Sequence, residues 1–108
     1  MVEQAYSLDA IFGSLSDPTR RDILKRLTKR EMSVSEIAKH YDFSFAGIAK
    51  HLQVLQRAGL ISKTRQGKEQ IITVAPLALS TANKYLESYS QRLDSLDMYL
   101  KSVNKKGE

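Results

Sequence analysis

The sequence predicts a mainly α-helical domain with one small β-hairpin. Three observations lead there. Apolar residues recur at helical spacing between residues 8 and 55. After Gly59 the period changes, and two runs rich in Ile, Val and Thr flank a polar, Gly-containing stretch. From Leu79 to Val103 an apolar residue returns every three or four positions, a seven-residue repeat. With 108 residues, 42% apolar and 27% charged, the chain fits one globular domain, residues 1–108, and not two.

The elements follow in order. Leu8, Ile11, Phe12 and Leu15 form one stripe of a first helix over 5–15. Asp17-Pro18 then restarts the chain: Asp is a good N-cap, and Pro suits the first helical position, where its missing N–H has no partner to lose. The second helix runs to about Lys29 and buries Ile23, Leu24 and Leu27. Arg20, Arg21, Lys25 and Arg26 lie on its other face, and the Arg20-Arg21 pair contacts phosphate or is simply solvated. Ser33-Val34-Ser35-Glu36 matches a capping box for a short third helix, with Val34, Ile37 and Ala38 inward. Tyr41-Asp42-Phe43 is a tight turn, and Ser44 caps a fourth helix that buries Ile48, Leu52 and Leu55 and closes at Gly59. Strands Leu60–Thr64 and Gln70–Ala75 make the hairpin, with the basic tip Arg65-Gln66-Gly67-Lys68-Glu69, and Pro76 ends the second strand. The apolar repeat of Leu79, Ala82, Leu86, Tyr89, Leu93, Leu96, Leu100 and Val103 sits on a last helix over 77–103. At ~1.5 Å per residue that helix is about 40 Å long, longer than the body it joins. Part of its seam therefore needs a partner or stays wet.

Composition removes several chemistries. There is no Cys, which excludes disulfides, thiolate metal ligands and cysteine nucleophiles. No Gly-rich phosphate cradle, Ser/His/acid arrangement or metal set is visible, so an enzyme is not expected, and neither is a cofactor or a metal. The sequence has no apolar run of membrane-spanning length and no signal-like N-terminus, so the expectation is a cytoplasmic protein without a membrane partner. The net charge is +5. Its placement matters more: residues 44–68 hold Lys50, Arg57, Lys63, Arg65 and Lys68 and no acid, whereas residues 1–43 are balanced. A polyanion is the natural partner of such a window.

Helix, short turn, helix and basic hairpin, in that order, are the parts of a winged helix-turn-helix, with the helix-turn-helix over 34–57 and the wing over 60–75. A major groove about 12 Å wide admits one helix, which presents its N-terminal residues to the bases. Here those residues are Ser44, Phe45, Ala46 and Gly47, with Lys50 and His51 one turn on for phosphate or a base edge, and Arg65 and Lys68 reaching the flanking backbone or minor groove. Small residues at 46 and 47 permit close approach, and Phe45 suits thymine methyls. Each has a plainer alternative: Phe45 as a plug for the turn, His51 as a packed or hydrogen-bonded residue, Tyr85 and Tyr89 as interface fillers rather than walls of an effector pocket.

The stretch Leu15-Ser16-Asp17-Pro18-Thr19-Arg20-Arg21-Asp22-Ile23-Leu24 resembles the "L-x-D-P-T-R-x-x-I-L" opening of the ArsR-type winged-helix repressors. Val34-Ser35-Glu36-Ile37-Ala38 is similar to their "V-x-E-L-A" helix, and Ile48–Ile61 to their "V-S-x-H-L-x-x-L-x-x-A-G-L-V" recognition helix and exit. The resemblance covers residues 8–75. It implies dimeric, DNA-binding transcriptional repressors paired through the first and last helices, with Leu8, Phe12, Leu86, Tyr89, Leu93, Leu96 and Leu100 at the seam. Metal-sensing members carry a Cys pair near the third helix; the matching positions are Ser33 and Ser35. Others use His and carboxylates on the last helix; residues 77–108 have no His, and Glu87, Asp94 and Asp97 read as solvent-facing. Both metal sites are therefore expected to be lost. Ala49 replaces the common Ser, and Gly47 lowers helix propensity by up to ~1 kcal/mol relative to Ala.

The function expected is a sequence-specific, homodimeric repressor on an imperfect palindrome of double-stranded DNA, unresponsive to metal, with room for an unidentified small-molecule or protein effector. Two other readings stay open. A protein-interaction module on the same scaffold would tolerate charge reversal at Lys50 and Arg65. A non-specific architectural DNA-binding protein would keep the basic face without reading bases.

Overall fold

The computed structural model describes residues 7–107. Its elements are α1 (Leu8–Leu15), α2 (Pro18–Lys29), β1 (Met32–Ser33), α3 (Val34–Ala38), α4 (Phe45–Arg57), β2 (Ile61–Gln66), β3 (Glu69–Val74) and α5 (Pro76–Gly107). The fold is the mainly helical one expected, with a small sheet. Residues 5 and 6, assigned to the first helix from sequence, lie outside the described residues.

Local chemistry explains the helix starts. Ser7 Oγ accepts from the Ala10 N–H at 3.1 Å and Asp17 from the Arg20 N–H at 2.9 Å. That backbone bond, against a smaller opposing effect of burial, holds the Asp17 carboxyl below its ordinary pKa. At α3 the capping box is closed both ways: Ser33 Oγ accepts from the Glu36 N–H at 3.1 Å, and Glu36 Oε1 from the Ser33 N–H at 2.9 Å. The Ser33 N–H, helped by Arg30, keeps the Glu36 carboxyl low. Ser44 Oγ caps α4 through the Gly47 N–H at 3.0 Å. Gly59, at φ 79°, turns the chain out of α4 in the left-handed region open to glycine.

The sheet differs from the hairpin expected. It has three antiparallel strands in the order β1-β3-β2, because Met32 and Ser33 pair with Ile72 and Ile71. Two residues give no periodicity, so β1 left no mark in the sequence. The strands of the wing also run further toward its turn, which is tighter. Gln66 pairs with Glu69, leaving only Gly67 and Lys68 in the loop. Gly67 takes φ 63° at the first loop position, as a two-residue hairpin turn demands. Arg65 thus stands within β2, opposite Gln70, and not at the tip. The connection between α3 and α4 spans residues 39–44, twice the turn read from sequence, because α3 stops at Ala38. Pro76 opens α5 instead of merely ending a strand.

One core joins these parts. Ile11, Ile23, Ile37, Ile48, Leu52, Leu55, Leu60 and Ile72 are fully buried, drawn from α1, α2, α3, α4, β3 and the α4–β2 link. Within residues 76–104 of α5 only Ala78 and Ala82 are buried, and every residue from 83 to 104 is exposed. The helix leaves the body: the radius of gyration is 18.5 Å, against about 13 Å for a compact chain near this length. No helix among the described residues is long and apolar enough to cross a membrane.

Removing the Leu52 side chain leaves a cavity between α4 and the sheet. Leu52→Ala is expected to lower unfolding free energy by about 2–5 kcal/mol in urea titration; a loss under about 1 kcal/mol would mean that α4 is not held by this contact.

Candidate nucleic-acid interface

The start of α4 projects from the body. Ser44, Phe45, Ala46 and Lys50 are exposed and Gly47 is half-buried. Phe45 is 59% exposed, so it does not plug the turn. With Ser44 satisfying Gly47, and Ile48 bonded to the Ser44 carbonyl, the N–H groups of Phe45 and Ala46 stay open toward solvent. Such amides suit a phosphate oxygen.

The wing brings its cations to the same side. Side chains alternate along a strand, so Ile61, Lys63 and Arg65 share one face of β2. Ile61 is buried in the core. Lys63 and Arg65 carry that inner face on past the core, toward α4. A cleft of about 300 Å³ results, bounded by Val34, Phe45, Ala49 and Leu52 on the helical side and by Lys63, Arg65, Lys68 and Gln70 on the wing. Among the described residues no ion pair involves Lys50, Arg57, Lys63, Arg65 or Lys68. The acid-free window of the sequence is therefore a surface of uncompensated positive charge.

His51 stands apart from this group. It is half-buried and faces α2, with Nδ1 3.3 Å from an Arg20 guanidinium nitrogen and 3.8 Å from Asp17 Oδ2. Its ring lies 6.0 Å from that of Phe43. The contacts observed at His51 are those of the packed, hydrogen-bonded alternative. Of the eight residues singled out from sequence, Phe45, Arg65 and Lys68 meet at the cleft, with Ser44, Ala46 and Gly47 beside it in the first turn of α4. Lys50 is exposed on α4 without lining the cleft.

Several contributors were not read from the sequence. Arg20 is half-buried and held by the end of α1: its Nε donates to the Ser14 carbonyl at 2.6 Å and another of its nitrogens to Gly13 at 3.3 Å. Arg21 donates to the Leu15 carbonyl at 2.8 Å. Together they satisfy the last carbonyls of α1 and, through His51, tie α1 and α2 to α4. Phe43, 49% exposed, stacks on Tyr41 at 6.0 Å and extends the exposed aromatic surface before Ser44. Lys63 was counted in the basic window, but its inward direction needed the strand register.

The loop leading to α4 is fixed by Tyr41. Its hydroxyl donates to Asp22, which also accepts from Arg26 Nε at 3.0 Å. Burial, then the hydrogen bond to Asp22, pushes the Tyr41 hydroxyl up to about 12 from an ordinary 10.0. The bonds from Tyr41 and Arg26 hold the Asp22 carboxyl low.

A helix-turn-helix domain family matches residues 15–64. The transcriptional repressor SdpR of Bacillus subtilis is 39% identical over 61 residues, 56% of this chain and 68% of that protein. YuzN of the same organism, an uncharacterized HTH-type transcriptional regulator, is 44% identical over 72 residues, 59% of this chain and 77% of that one. Among solved structures, the ArsR family transcriptional regulator RHA00566 superposes with a TM-score of 0.75 at 31% identity, over 82% of this chain and 91% of that one.

A raised hydroxyl pKa means that the fold favours protonated Tyr41. Its contribution is complete below about pH 10 and is lost as pH rises through about 12. Urea melts of the chain and of Tyr41→Phe should therefore converge in stability between those values. A difference that stays constant over the same range would remove the Tyr41–Asp22 bond from the account.

Proposed function

From a chain that belongs to the ArsR-type winged helix-turn-helix transcriptional regulators, and is thus a DNA-binding regulator and not an enzyme, we propose a homodimeric repressor that reads an imperfect palindrome. The observation that carries the reading is the convergence of the α4 N-terminus and the inner face of the wing on one acid-free, unpaired cationic surface. Phe45, Ala46 and Gly47 approach base edges, with Phe45 against thymine methyls. Lys50, Arg65 and Lys68 neutralise phosphates. Two copies place two α4 helices in successive major grooves about 34–36 Å apart. Repression follows from occluding the promoter.

Support for the homodimer comes from α5. Leu86, Tyr89, Leu93, Leu96 and Leu100 are 42–62% exposed along one seam. Phe12 of α1 lies 6.0 Å from Tyr85 and continues the apolar surface, with Leu8 half-buried beside it. A contiguous stripe of this kind marks an association surface, where isolated exposed apolar residues do not.

In this reading the repressor does not respond to metal. Ser33, at the position matching a metal-sensing Cys, is 2% exposed and its hydroxyl is committed to the α3 cap. No group of three His or acidic residues among the described residues is placed to hold a metal ion.

DNA selected from random sequence by the purified protein should contain two inverted half-sites. In anisotropy titrations that duplex should bind at least about 1,000-fold more tightly than unselected DNA, with affinity falling steeply in salt. Lys50→Ala and Arg65→Ala should each reduce the log–log salt slope by about 1, and Leu93→Asp should lower affinity by breaking the dimer. Equal affinity for all duplexes would leave an architectural DNA-binding protein. Activity that survives Lys50→Glu and Arg65→Glu but not Leu93→Asp would leave a protein-interaction module.

A further inference from the structure

The cleft between α4 and the wing offers more than a phosphodiester strand uses. The outer edge of such a strand is charged oxygen, which suits Lys63, Arg65 and Lys68 but leaves the half-buried Val34 and Ala49 of the helical wall without an apolar partner. The wall exists because the core face of β2 runs on past the last core residue: Ile61 is buried, and Lys63, on the same face, is half-buried. The stem of Lys63 therefore lies beside apolar atoms while its ammonium has no carboxylate partner among the described residues. The volume, about 300 Å³, stands at the lower end of small-molecule sites. A second cleft of about 340 Å³, lined by Arg26, Lys29, Arg30, Met32 and His40, lacks this character, since Arg26 and Arg30 already hold Asp22 and Glu36.

We propose that the cleft between α4 and the wing binds a small amphipathic monocarboxylate and that its occupancy displaces DNA. The apolar body of the ligand lies on Val34 and Ala49, and its carboxylate meets Lys63 and Arg65. Displacement follows because Arg65 serves both ligand and duplex, and Phe45 and Lys68, which the duplex uses, line the same cleft, so that ligand and DNA exclude each other by mass action. The displacement, unlike the binding, rests on the reading of this face as the DNA interface.

The test uses the full chain, 15N-labelled, with 3-phenylpropanoate as probe and its primary amide as the neutral control. The acid is expected to shift the backbone signals of Val34, Ala49 and Gln70 with saturation, and the amide to bind about tenfold more weakly. Lys63→Met, which keeps the stem, should weaken the acid about fivefold or more and leave the amide unchanged. Val34→Phe should fill the cleft and abolish both; if it does not fold, Lys63→Met decides. In anisotropy, the acid should release a bound duplex over the range that saturates the shifts. Absence of saturable shifts at those residues up to about 10 mM, or equal binding of acid and amide, overturns the proposal. Saturation without release of a duplex that binds well overturns the displacement. A chain that binds no duplex in the absence of ligand contradicts the DNA reading and with it the displacement, while the shifts still decide the cleft.

Discussion

A helix proposed to read a groove must be gripped from behind. In this protein Ile48, Leu52 and Leu55 supply the grip, all at 0% exposure against a core drawn from every other helix and the sheet. Each buried side chain of this size contributes about 1.5–3 kcal/mol relative to exposure. Three on one stripe of α4 leave the helix no other way to face. The opposite stripe and the first turn are then presented outward by default. The remaining structure sets where α4 begins. Ser44 caps it, Tyr41 fixes the loop before it through Asp22, and the Arg20–His51 contact locks its flank to α2.

The same hydrophobic bookkeeping has the opposite outcome in α5. Burial within the chain ends at Ala82, while large apolar side chains continue to Val103. Among the described residues the helix has no partner of its own body to cover Leu93, Leu96 or Leu100. A second α5, in the homodimer proposed, would supply such a partner at matching spacing, and that pairing would convert one outward-facing α4 into two at a fixed separation. Specificity for a palindrome depends on that conversion.

What was legible in the sequence was what is local. The caps at Asp17, Ser33 and Ser44 act within three residues, and each was readable as a residue type at a fixed offset. The buried stripe of α4 and the seam of α5 were readable as periods. What was not legible depends on distant partners. β1 exists only because β3 runs beside it. The wing's turn closed to two residues because Arg65 and Gln66 found ladder partners across it. Arg20 and Arg21 look like surface charge until the carbonyls of α1 are placed above them. His51 is next to Lys50 in sequence, but one residue is about 100° around a helix, enough to turn it from the open face into the α2 junction. The basic window survived intact as a surface, and the inward aim of Lys63 and Arg65 emerged only with the register of β2 and β3.

The pairing of two α4 helices at groove spacing is the claim on which the functional account stands, and a distance measures it directly. The chain has no Cys, so a single Gln56→Cys on the exposed side of α4 accepts one spin label per copy. Double electron–electron resonance with a selected duplex present should give a narrow distribution near one turn of DNA, about 34–36 Å. No dipolar coupling at tens of micromolar protein, or a distance far from that pitch, would contradict a paired reader.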